Sequence, residues 1–203
     1  MSIDATIPLL FKRRATAHPD ILVQAWKDEK GTFVTRTYGE LYGDVLDFAT
    51  ALKAFGVKRE DRVGIISDNR REWLIADLAI QALGAADVPR GCDSMEKEIA
   101  FILSVTECAL VLAENRSQLT KILNSRGTLP LLAAIIMMND PSEEDVANAS
   151  SRGVTLHSFK TVLADGKAKR DGKTEEIESE MAKGKGSELA TVIFTSGTTG
   201  EPK

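Results

Sequence analysis

Short apolar segments alternate with helix-periodic ones through the middle of the chain, and that alternation is the strongest constraint on its fold. Residues 62–67 are apolar, β-branched and bounded by turn residues, which predicts a buried strand. A helix is expected from Asn69 to about Leu83, with Trp73, Ala76, Ile80 and Leu83 on its core face and Gly84 as its left-handed stop. Residues 85–89 are apolar again. Ser94 is expected to cap a helix over 96–105, followed by a strand at 109–113, a helix at 117–124 and a strand at 133–138. Strands separated by single helices pair in parallel, because each crossover needs a helix to carry the chain back. The expected class is therefore α/β: a doubly wound, mostly parallel sheet flanked by helices on both faces.

The flanks of this repeating region differ. Thr37-Tyr38-Gly39-Glu40 fits a capping box, in which hydroxyl and carboxylate satisfy orphan amides at a helix start. The helix then runs from about Tyr38 to Ala54. Leu41, Val45, Phe48, Ala49, Leu52 and Phe55 recur at spacings of three and four, and Gly56 ends it. Before it, residues 21–26 and 33–37 read as a hairpin around the polar turn 27–31. From Asp165 to Glu188 apolar residues nearly vanish and charges of both signs dominate, which predicts a mobile stretch, either a solvated linker or a surface helix. Within it, 173–183 is expected as an exposed helix anchored only by Ile177 and Met181. The expected division is 1–164 as an N-terminal α/β subdomain, 165–188 as a charged flexible linker, and 189–203 as a strand with a terminal loop.

At 203 residues a single domain would bury roughly 70% of its unfolded surface, so core size is not limiting. A net charge of -4 gives no basic stripe for nucleic acid, which is excluded as a partner. Cys92 and Cys108 lack a CxxC spacing or a histidine cluster, so they are expected as reduced thiols rather than zinc ligands, and no metal site is assigned. His18 and His157 stand alone, as structural histidines do. The N-terminal segment carries its basic residues after a short apolar run, the reverse of a secretory signal. The longest apolar stretch, 129–138, is about half the ~20 residues of a membrane helix. The expected location is cytoplasmic, with peripheral membrane contact left open and the oligomeric state not legible.

After the charged stretch, the apolar run 189–194 feeds into Thr195-Ser196-Gly197-Thr198-Thr199-Gly200-Glu201-Pro202-Lys203, in which six of nine residues are Gly, Ser or Thr. Gly197 and Gly200 allow successive amides to point into one concavity. The hydroxyls of Thr195, Ser196, Thr198 and Thr199 add donors, and Lys203 adds a point charge. Polyphosphate is the ligand such a set suits. The spacing Gly-x-x-Gly-x-x-Lys matches neither GxxxxGK[ST] nor GxGxxG, which disfavours a Walker-type kinase or GTPase. A plain flexible loop has the same composition, so composition alone leaves both readings standing.

The ten residues Phe194-Thr195-Ser196-Gly197-Thr198-Thr199-Gly200-Glu201-Pro202-Lys203 resemble the signature loop of the acyl-CoA synthetase, adenylation-domain and luciferase superfamily. The resemblance extends upstream in the same order through residues 37–41, 61–65 and 69–73, and through Ala82-Leu83-Gly84-Ala85 into Val88-Pro89. It covers almost the whole chain except the charged stretch. The segment Arg90-Gly91-Cys92-Asp93-Ser94 looks most like long-chain fatty acyl-CoA synthetases.

That resemblance implies an enzyme that joins a carboxylate to the α-phosphorus of ATP, releases pyrophosphate, and passes the acyl group to a thiol, usually that of coenzyme A. Magnesium is implied as the companion of ATP. Thr195, Ser196, Gly197, Thr198, Thr199, Gly200 and Lys203 are implied as the ATP-phosphate-binding residues, where preorganised donors are typically worth about 3 to 4 kcal/mol each. Glu201 and Pro202 would set the exit of the loop, and Glu72 and Trp73 read as structural. The adenine- and ribose-binding segments and the catalytic lysine of the family have no counterpart up to Lys203, so the chain is expected to be an N-terminal fragment with no catalytic residue and no activity alone. Two alternatives stand beside this reading. One is a truncated nucleotide-binding or interaction module; the other is a different acyl-adenylating enzyme, such as a peptide-synthetase adenylation domain or an aryl or medium-chain acid ligase.

Overall fold

The computed structural model describes residues 6–28 and 30–195. In chain order its elements are α1 (Ile7–Ala17), β1 (Leu22–Lys27), β2 (Phe33–Thr37), α2 (Tyr38–Ala54), β3 (Arg62–Ile66), α3 (Arg71–Ala82), β4 (Ala86–Arg90), α4 (Glu96–Val105), β5 (Leu110–Ala113), α5 (Arg116–Asn124), β6 (Ala134–Met137), α6 (Glu143–Ser151), β7 (Thr155–Ser158), α7 (Phe159–Arg170) and α8 (Glu175–Ala182). The chain forms two compact units, residues 1–59, 69–85 and 163–188 in one, and residues 60–68, 86–162 and 189–203 in the other. Each unit is thus assembled from three separate stretches, which differs from the expected division into 1–164, 165–188 and 189–203.

In the first unit, β1 and β2 pair antiparallel as the expected hairpin. The capping box at the start of α2 is present: the Glu40 amide donates to Thr37 Oγ1 at 3.3 Å, and the Thr37 amide donates to Glu40 Oε2 at 2.9 Å. Leu41, Val45, Phe48, Ala49 and Leu52 are fully buried along α2, as their spacing predicts. In α3 the core face is broader than the expected Trp73, Ala76, Ile80 and Leu83. Ile75, Leu78 and Ala79 are buried while Trp73 is only partly so. The helix α1 escaped the reading because Pro8 interrupts its apolar run. Pro8 lies in the first turn, however, where its missing N–H has no intrahelical partner to lose.

Residues 165–188 do not form a linker throughout, and the helix expected over 173–183 with Ile177 and Met181 as its anchors is present as α8. They hold the end of α7 and all of α8, and Ile177 and Met181 are 1% and 2% exposed. Charge does not keep all of the segment in solvent, because several of its charges are paired. Arg170 Nε donates to Asp47 Oδ1 at 2.6 Å, Lys12 meets Glu178 at 2.8 Å, and Arg59 meets Glu188 at 2.5 Å. Two apolar side chains four apart are enough to seat a short helix when partners neutralise its polar face.

In the second unit five strands form one parallel sheet in the order β4-β3-β5-β6-β7. Numbered within the sheet this is 2-1-3-4-5, a doubly wound order whose direction reverses between β3 and β5. The fold class read from the sequence is therefore the one observed: α/β, with a parallel sheet flanked by helices. Ile66, Val88, Ile99, Ile102, Leu103, Val111, Leu119, Ile122 and Ile135 make up much of its core. Gly64 sits mid-strand because a Cβ there would lie 2.6 Å from Leu103 Cδ2 and 3.2 Å from Val111.

Three local expectations change here. Ser94 does not cap α4; the position before the helix is Met95, whose amide donates to Glu98 Oε2 at 3.0 Å. The 189–194 run is not a full strand and makes a single parallel bridge, Thr191 to Asp87. The pair α6 and β7 went unread because both are short and rather polar. Cys92 and Cys108 are free thiols. Among the described residues no helix is long and apolar enough to cross a membrane.

Candidate functional site

Parallel strands present all their carboxyl ends at one edge of the sheet, and the loops leaving that edge carry the chemistry in folds of this order. Here the edge is formed by Ser67 and Asp68 after β3, residues 91–94 after β4, and Glu114 and Asn115 after β5. The 190–194 segment joins them. The Asp87 amide donates to the Ala190 carbonyl at 3.2 Å, and the Val192 amide donates to the Asp87 carbonyl at 2.9 Å. Thr191 Oγ1 donates to Asp87 Oδ2 at 3.2 Å, which gives that 1%-exposed carboxylate a partner. Three residues further along both chains, Arg90 Nη1 donates to the Phe194 carbonyl at 3.3 Å. The segment therefore runs alongside β4 in the parallel sense, and Thr195 emerges, exposed, at the carboxyl edge.

Side chains hold this segment as well as backbone. Val192 and Phe194 pack against the core of the second unit, and the Phe194 ring meets Phe101 of α4 edge-on, 6.3 Å between centroids at 84°. Arg90 is braced in turn by Glu98, 3.6 Å away. Its Nε atom, although buried, has no hydrogen-bond partner among the described residues.

At the reversal point between β3 and β5 the loops are tied by a second cluster. Glu114 Oε2 accepts from Ser67 Oγ at 3.0 Å and from the Asp68 amide at 2.9 Å, while Asp68 Oδ1 accepts from the Cys92 amide at 3.0 Å. Lys121 Nζ donates to the carbonyls of Cys92 and Ser94 at 2.9 and 2.8 Å. Burial, aided by a hydrogen bond to Glu114, pushes the Cys92 thiol up to about 11. Ligand atoms of Asp68, Cys92 and Glu114 lie within 4.8 Å of one another. Both carboxylates already accept loop amides or hydroxyls and the thiol keeps its proton, so the cluster fastens three loops at the sheet edge.

Of the residues the sequence assigned to phosphate binding, Thr195 is described, at the carboxyl edge. Ser196, Gly197, Thr198, Thr199, Gly200 and Lys203 lie outside the described residues. Asp87 and Arg90, which position the approach to Thr195, had no signal as a site in the sequence. A buried carboxylate on a strand and an arginine at its end acquire their partners only when a segment a hundred residues later comes alongside.

The chain matches the model of the AMP-binding enzyme family over residues 11–203. Long chain acyl-CoA synthetase 4 of Arabidopsis thaliana is 28% identical over 177 residues, covering 85% of this chain and 25% of that protein. A chloroplastic long-chain-fatty-acid–[acyl-carrier-protein] ligase of the same plant is 26% identical over 170 residues, covering 82% of this chain and 23% of that protein. The chain thus spans about a quarter of the length of these relatives. Among solved structures, the adenylation domain of a carboxylate reductase from Mycobacterium chelonae superposes with a TM-score of 0.72 at 20% identity, over 98% of this chain and 34% of that one. With a family match running from Phe11 to the last residue and a sheet that superposes on an adenylation domain, this chain belongs to the AMP-binding enzyme family.

Proposed function

We propose that the chain is the N-terminal part of an AMP-forming ligase that activates a long-chain fatty acid as its acyl-adenylate and transfers the acyl group to coenzyme A. The observation that carries this reading is the emergence of Thr195, the first residue of the hydroxyl- and glycine-rich loop, at the carboxyl edge of the parallel sheet. The donors of that loop are hydroxyls, amides and one ammonium, which suit an anion. Thr195, Ser196, Thr198, Thr199 and Lys203 would hold the β- and γ-phosphates of ATP, with Gly197 and Gly200 letting the backbone approach. Negative charge gathers on those phosphates as pyrophosphate leaves, so donors fixed there favour the transition state over the bound substrate. Magnesium would enter with the nucleotide and help neutralise its phosphates.

The test is carboxylate-dependent pyrophosphate exchange into ATP by the full-length enzyme, over a panel of acids of different chain length. Thr198→Ala and Lys203→Ala are each expected to slow exchange by about a hundredfold while leaving the KM for the acid unchanged. Exchange at the unaltered rate in both variants removes these residues from phosphate binding. A carrier-protein thiol is the second reading for the acceptor, favoured by the acyl-carrier-protein ligase among the relatives. Thioester formation with coenzyme A against acyl carrier protein decides between them.

A further inference from the structure

We infer that Arg90 is a positioning residue for adenylate formation, gripping the Phe194 carbonyl so that the chain reaches Thr195 in one fixed orientation. The inference rests on the function proposed above and adds to it a residue outside the loop.

The backbone pairing that binds the 190–194 segment to β4 stops at Val192, whose amide makes its last ladder bond to Asp87. Beyond that point, among the described residues, the polar hold on the segment is the Arg90 side chain, whose Nη1 reaches the Phe194 carbonyl at 3.3 Å. A side chain thus replaces the ladder bond that a longer strand would supply. Phe194 is then held from two directions, its ring by Phe101 and its carbonyl by Arg90.

Arg90 is itself fixed at both ends. Its carbonyl accepts from the Ser67 amide at 3.0 Å, which ties its backbone to the strand beside it. Its guanidinium lies 3.6 Å from Glu98, and Glu98 is held in turn by the Met95 amide at the start of α4. The arrangement is costly for a guanidinium, because Nε is buried with no partner among the described residues. A purely structural arginine at a sheet edge could turn its head to water. This one instead donates to the carbonyl of the residue before Thr195 and lies against Glu98. The rigid fork of arginine suits that task, whereas the ammonium of lysine offers only a point charge on a flexible stem.

The test uses the full-length enzyme, with Arg90→Met, Arg90→Lys and Glu98→Gln. In pyrophosphate exchange, Arg90→Met is expected to lower kcat about ten- to a hundredfold, the usual consequence of misplacing reacting groups by about an ångström, with the KM for the acid unchanged. Arg90→Lys should recover part of the loss. Glu98→Gln, which can still accept from the Met95 amide, should give a smaller fall in the same direction. Deuterium uptake by the 189–195 segment should rise in the same order. Should Arg90→Met fail to fold, Arg90→Lys against the unaltered enzyme decides on both readouts. Unchanged kcat and unchanged uptake in the folded variants overturn the inference, and so does a rise in the KM for the acid alone. An unaltered enzyme that exchanges no pyrophosphate with any acid overturns the proposed function, and the positioning role falls with it.

Discussion

Asp145 shows how one residue can couple a helix start to pH. It is the third residue of α6, where its amide donates to Ser142 Oγ at 3.2 Å and its Oδ2 accepts the Ser142 amide at 2.9 Å. Arg116 Nε lies 2.7 Å from the other oxygen. Burial alone would raise the carboxyl, but the Ser142 amide and hydroxyl, with Arg116, outweigh it and hold Asp145 below the ordinary carboxylate range. A depressed folded value means that the stabilisation is present above the unfolded value, about 3.9, and is lost as pH falls through the folded one. In urea unfolding, Asp145→Asn should therefore be less stable than the unaltered chain at neutral pH, and the gap should close as the solution is acidified below about pH 4. A gap that stays constant down to pH 2 would contradict the linkage. Residues of this kind are partly legible in sequence. Thr37 and Glu40 announced their capping box because both partners lie within four residues. Ser142 and Asp145 form the same device but precede a helix with few apolar residues. Arg90 and Asp87 were illegible as parts of a site, since their partners sit at Phe194 and Thr191.

Among the elements, α7 departs furthest from what composition suggests. Gly166 makes the reason concrete. A Cβ at this position would run into the Asp47 carbonyl of α2 and stand 3.1 Å from Ala51 Cβ, so the two helices touch through a missing side chain. Asp47, 6% exposed, is paired with Arg170 one turn further along α7. In a solvated linker, Gly166→Ala would be neutral or mildly stabilising through helix propensity. In the packed helix it should destabilise by about 1 to 3 kcal/mol as α7 is forced off α2, measurable by thermal or urea unfolding. The period-3.6 pattern made α2 and most of α3 readable, and β-branched runs did the same for β3, β5 and β6. Elements whose burial is bought by ion pairs and a single glycine contact leave no such pattern. That is why the parallel sheet and the Ile177–Met181 spacing of α8 were legible and the packed end of α7 was not.

For the molecule as a whole, the expected boundary at 164/165 and the observed units make opposite statements about truncation. A chain cut after residue 164 keeps every strand of the five-stranded sheet but lacks α8, which packs on α1, α2 and α3. Removing Ile177 and Met181 should expose that apolar surface, and hydrogen exchange should accelerate across residues 7–17, 38–54 and 71–82. Unchanged protection there would mark 165–188 as the detachable linker that its composition suggests.

The three-stretch make-up of each unit also bears on how the protein is born. On the ribosome α1 and α2 emerge well before α8, the helix that packs on them, which ends at residue 182, and the segment that borders β4 is made later still. At about 5 to 20 residues per second, the nascent chain waits on the order of ten seconds with its first helices uncovered. Over that interval the surface of α1, α2 and α3 that α8 will cover is open to whatever meets the tunnel exit.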